Sequence, residues 1–74
     1  METIHVVQPF DHAKQGLKAG QVLQFKTGDE AARRAALMAD KHAGVIAYSM
    51  DVDEEGGDYG TPRVLFQSGE VPEL

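Results

Sequence analysis

Cysteine is absent from this chain, which excludes disulfides, thiolate metal ligands and a cysteine nucleophile together. Nor is there any apolar run near the roughly 20 residues that a bilayer-crossing helix needs. The amino end, Met1-Glu-Thr-Ile-His-Val-Val-Gln-Pro9, lacks a basic segment and a small-residue cleavage site, so no secretion signal is expected. These absences make the cytoplasm the expected compartment. Bases are scarce as well, with seven Lys and Arg against twelve Asp and Glu and a formal charge of -5. Binding to nucleic acid or to an anionic membrane depends on clustered Lys and Arg, so neither partner is expected. The only adjacent pair of bases, Arg33-Arg34, has Asp29 and Glu30 one turn away.

The acid is concentrated. Asp51, Asp53, Glu54, Glu55 and Asp58 lie within eight positions that hold no base, and the rest of the chain is formally neutral. This stretch sits between the β-prone runs Gly44-Val-Ile-Ala-Tyr-Ser-Met50 and Pro62-Arg-Val-Leu-Phe-Gln67, so it reads as a hairpin with a charged tip. With 74 residues, 42% of them hydrophobic, the chain makes one small domain near the lower size limit for a single unstapled core. No internal repeat, low-complexity segment or linker divides it.

Thr3–Gln8 reads as a first strand, with Pro9 ending its pairing. A connection containing Gly16 and Gly20 follows, in which Asp11 caps a single helical turn and Phe10 and Leu17 attach the loop to the core. Gln21–Lys26 is the second strand, with Leu23 and Phe25 on one face. Thr27-Gly-Asp-Glu30 matches a helix-capping box, Lys41 and His42 suit the negative helix end, and Gly44 supplies a left-handed stop. Ala31, Ala32, Ala35, Ala36, Met38, Ala39 and Ala43 share one face, whereas Leu37 falls among charged residues and is expected to be exposed. Val45–Val52 and Arg63–Gln67 are the last two strands, and residues 68–74 form an irregular tail.

These elements predict an α/β domain of the two-layer α+β kind. One helix packs on a four-stranded, mainly antiparallel sheet, β-β-α-β-β, in strand order 2-1-3-4. Taking Ile46, Tyr48, Met50, Val64 and Phe66 as the helix-facing set leaves a second apolar face of Val7, Val22, Val45, Ala47 and Leu65. A single helix covers only one side of a sheet, so that second face is the candidate interaction surface, with Leu37 as an outlying member.

The carboxyl half resembles a group of short uncharacterised bacterial proteins. The resemblance rests on the alanine- and arginine-rich helix, Gly44-Val-Ile-Ala-Tyr-Ser49, the acidic glycine turn through Tyr59, Pro62-Arg-Val-Leu65 and Gly69-Glu-Val-Pro72. It covers residues 29–72 and implies no particular chemistry. Met50-Asp-Val-Asp53 stands where that group has a basic or glycine-containing step.

Candidate chemistry is sparse. Asp51, Asp53 and Glu55 alternate as the first ligands of a calcium loop do, with Gly56 at the sixth position, but Pro62 stands where the closing glutamate belongs. His5, His12 and His42 match no common metal-ligand spacing. Ser49 and Ser68 lack the sharp turn of a nucleophile elbow, and Gly16 and Gly20 lack the lysine and helix of a phosphate loop. Tyr48 and Tyr59 read as core and turn-packing aromatics. The resulting expectation is an interaction or accessory module, not an enzyme, with no cofactor and no metal. A protein partner is expected, with the chain itself a monomer or weak homodimer. The alternative is a domain binding a divalent cation or small ligand weakly through the acidic hairpin, residues 51–58, with Asp51, Asp53 and Glu55 as ligands.

Overall fold

A computed structural model describes residues 2–53 and 55–72, with Asp58 described by its backbone alone. One helix lies on one side of a mainly antiparallel sheet, so the chain is of the α+β class. In chain order the elements are β1 (Glu2–Ala13), β2 (Gly16–Ala19), β3 (Leu23–Phe25), α1 (Gly28–Met38), β4 (Gly44–Asp53), β5 (Asp58–Tyr59) and β6 (Arg63–Gly69). β1 and β4 form the centre, β2 and β3 both pair with the outer edge of β1, and β5 and β6 both pair with β4. Strand count and order therefore differ in detail from the expected four, because two short strands are added. β3 and β4 are each antiparallel to β1 and hence parallel to each other, with α1 crossing over β1 between them.

β1 does not stop at Pro9. Pro9 sits opposite Val45, and its carbonyl accepts a hydrogen bond from Gly20 N at 2.9 Å, toward the outer edge. A strand residue points its N and O to the same side, so the missing proline N–H falls where the partner strand is interrupted between β2 and β3. One extra residue in 20–22 makes that interruption a bulge. Residues 10–20 are therefore a projecting hairpin, not a loop with a helical turn. Lys14 and Gln15 form its tip, followed by Gly16 at φ 120°.

The helix begins as its sequence dictates. Thr27 is the N-cap, and its hydroxyl accepts a hydrogen bond from Glu30 N at 3.1 Å. It ends earlier than expected, at Met38, so Lys41 and His42 lie beyond it. Gly44 is no helix stop: it opens β4 without a positive φ. Its lack of a side chain serves a different need. Gly69 turns the chain at φ 71°, Glu70 N donates to Ala43 O at 3.0 Å, and a Cβ on Gly44 would collide with the Glu70 carbonyl. Residue 70 is thereby held over the end of the sheet.

The helix takes the opposite sheet face from the one its neighbours' sizes suggest. Ala31 and Ala35 pack with Val7, Val45 and Ala47, all five with no exposed surface, and Leu23, Phe25, Met38 and Phe66 surround them. Val7, Val45 and Ala47 are thus the core beneath the helix, not an open interaction surface. The physical reason is distance: an alanine-faced helix lies close to the sheet, and small strand residues permit that approach. Leu65 is also on the helix side. The pairing of β6 with β4 shifts between Ala47 and Tyr48, leaving Leu65 as an extra residue beside Phe66 and turning Val64 to the other face. Val22 is exposed in the gap between β2 and β3, outside any strand. Leu37 is 71% exposed on the outer helix surface, away from the sheet. No helix among the described residues is long and apolar enough to cross a membrane.

Thr27→Ala should lower stability by about 1 kcal/mol in urea denaturation, and Leu37→Ala should change it by less than about 0.5 kcal/mol. Gly44→Ala should cost about 2–3 kcal/mol, because the added methyl meets fixed backbone.

Candidate functional site

Antiparallel pairing of β1 with β4 sets residues of the same parity opposite each other, producing one polar row and one apolar face. On the helix side His5 is opposite Ser49 and Thr3 is opposite Asp51. His5 Nδ1 lies 2.6 Å from Ser49 Oγ. Thr3 Oγ1 donates to Asp51 Oδ1 at 2.7 Å, and Arg63 Nη1 is 3.5 Å from Asp51 Oδ2. The hydrogen bond from Thr3, then the Arg63 guanidinium, hold the Asp51 carboxyl below the ordinary value of 3.8.

The His5–Ser49 contact has the composition of a base and a nucleophile, but its setting is different. Ser49 is 4% exposed on a flat strand, and a side chain at Gly28 would meet Leu65 Cδ1, Ser49 Oγ and His5 Nδ1 at 3.3, 3.6 and 3.7 Å. The start of the helix and Leu65 therefore close over the hydroxyl, and the histidine satisfies a buried polar group. Pairing of positions 5 and 49 was readable only from strand register, which neither residue announces alone.

The other histidines lie apart from this pair and from each other. His42 Nδ1 contacts both Asp11 carboxylate oxygens, at 2.9 and 3.1 Å, joining the segment after the helix to β1. His12 Nε2 is 2.9 Å from Glu70 Oε2. Among the described residues no group of three or more His, Cys, Asp or Glu is placed to hold a metal ion. Asp51 is engaged by Thr3 and Arg63. The Asp53 carboxylate accepts from Gly56 N at 3.2 Å and its carbonyl from Gly57 N at 2.8 Å, so this acid shapes the turn. Glu55 is exposed at the tip; Glu54 and the Asp58 side chain lie outside the described residues. Arg33 Nε donates to the Asp29 carbonyl at 3.4 Å, and among the described residues neither Arg33 nor Arg34 forms an ion pair. A shallow depression over the β1–β2 hairpin is lined by that hairpin alone, including Lys14 and Lys18.

On β4, the face turned away from the helix carries the bulkier apolar side chains. Val6 and Ile46 sit at its centre and are each only 3% exposed, Ile4, Tyr48 and Met50 are half-buried around them, and Val64 is 54% exposed. Gln8 and Gln67 flank Ile46 across the sheet, and Gln24 flanks Val6. Residue 70 crosses one end of this face, above Gly44 and beside its cross-strand partner Phe10. No second layer of secondary structure covers the remainder among the described residues. Tyr59, read from sequence as packing a turn, is instead 70% exposed on β5.

Comparison of the chain with family models, curated proteins and solved structures gave no match.

Because its folded value is lowered, ionised Asp51 adds stability that is present above 3.8 and lost as the pH falls through its depressed folded value. Asp51→Asn should therefore melt at a lower temperature near neutrality, decline less steeply on acidification and converge with wild type in acid. Calcium titration followed by amide NMR should produce no localised saturable shift at residues 51–60.

Proposed function

We propose that this chain is an interaction module that works by presenting the sheet face turned away from the helix through Tyr48, Met50 and Val64. One observation carries this reading. Along β4 the residues beneath the helix are the small Val45 and Ala47, while Ile46, Tyr48 and Met50 lie on the side that has no second layer among the described residues. A sheet face of that composition, bordered by uncharged polar glutamines, has the make-up of a contact surface, apolar at the centre and polar at the rim. The convergent polar groups that catalysis requires are not gathered on it. Asp51 is engaged by Thr3 and Arg63 and Asp53 by the turn amides, and no three-ligand group is assembled among the described residues, so the geometry lends the ion-binding reading no support.

A photo-crosslinking residue at position 50 should give discrete adducts in extract of the native host, and one at position 37 on the outer helix surface should not. Equal labelling at both positions, or none at 50, would remove this reading.

A further inference from the structure

Resting on that reading of the open face, we infer that its occupant is a second copy of this chain, packed sheet to sheet with its strands running in reverse. Three observations select this partner. The first is the charge content of the face. On the open side, the β1 residues Ile4, Val6, Gln8 and Phe10 and the β4 residues Gly44, Ile46, Tyr48, Met50 and Val52 carry no charge at neutral pH. A two-fold axis brings a face against itself, so any central charge would meet its own like; here only apolar groups and amides meet.

The second is size. The backbone spans 39 by 26 Å in its two longer dimensions. A face with that footprint can bury the roughly 800 Å² per partner of an ordinary stable interface.

The third is the placement of charge at the ends. Pairing of Glu2 with Val52 leaves the acidic hairpin beyond the start of β1, and pairing of Phe10 with Gly44 leaves the β1–β2 hairpin beyond the start of β4. The two hairpins therefore overhang opposite ends of the sheet. One holds five carboxylates and no base; the other, residues 10–20, holds Lys14 and Lys18 and one carboxylate, Asp11, which lies opposite Lys18 and is bound to His42, with Glu70 against His12 beside it. A two-fold axis along the strands would stack acid on acid. An axis across the strands lays each acidic hairpin over the lysine hairpin of the other copy, and this is the arrangement that charge complementarity favours.

Sedimentation equilibrium of the purified full chain should show a species of twice the 8.0 kDa chain mass. Met50→Lys should weaken the dimer at least about tenfold while circular dichroism stays folded. Val64→Lys, at an exposed position, supplies the same test should Met50→Lys fail to fold. Added salt should weaken the wild-type dimer. Lys14→Glu/Lys18→Glu should weaken it too, and the further changes Glu54→Lys/Glu55→Lys should restore it. A monomer at every concentration overturns the second-copy inference. If position 50 then still crosslinks to a different protein, the interaction module stands without it. A dimer indifferent to both Met50→Lys and Val64→Lys overturns the inference and the assignment of the open face together.

Discussion

The close contact of Ala31 and Ala35 with Val7, Val45 and Ala47 governs the rest of this molecule. It sets the height of the helix above the sheet, and with it which strand residues can lie beneath. Each of these five side chains is small, so the contact gains its strength from tight packing more than from area per residue. A helix held this close brings Gly28 down onto Ser49 and His5, where an added Cβ would touch both and press on Leu65 at 3.3 Å. It also commits the bulkier Ile46, Tyr48 and Met50 to the opposite side. The uncovered face is thus a direct result of how the covered one is packed.

Local signals in the sequence were legible and non-local ones were not. The Thr27 cap needs only neighbouring residues, and it stands where its motif places it. Leu37 lies outside for the same reason, since helical spacing alone fixes it among Arg33, Arg34 and Lys41. The strand alternation was equally plain, but alternation divides residues into two sets without saying which set meets the helix. Weighing Ile46, Tyr48 and Met50 by hydrophobicity chose the wrong set, because shape decided it. Residues 11–19 hold no β-branched side chain, so their hairpin gave no strand signal. Gly44 after a helical run reads as a stop; only the passage of residue 70 over it, far along the chain, reveals its role.

The acidic hairpin shows the same division. Its position between two strands was apparent from composition, whereas the assignment of its acids was not. Asp51 is tied across the sheet to Thr3 and Arg63, and Asp53 folds the turn, so two acids that resemble metal ligands in spacing serve as backbone and strand fasteners. The acidic hairpin lies beyond one end of the β1–β4 ladder, away from the uncharged centre of the uncovered face.

The pairing of β1 with β4 also dictates when this protein can acquire its structure. Phe10 meets Gly44 at one end of that ladder and Glu2 meets Val52 at the other, with the whole hairpin, bulge and helix lying between them in the chain. A nascent chain can close the β1–β2 hairpin early, since that contact is local. The strand that seats the helix is not yet available then. Until Gly44–Asp53 has been synthesised, α1 has only half its platform, and an alanine-rich segment of this length holds little helix alone. The helix and the β1–β4 core should therefore form together, after the hairpin, once β4 arrives.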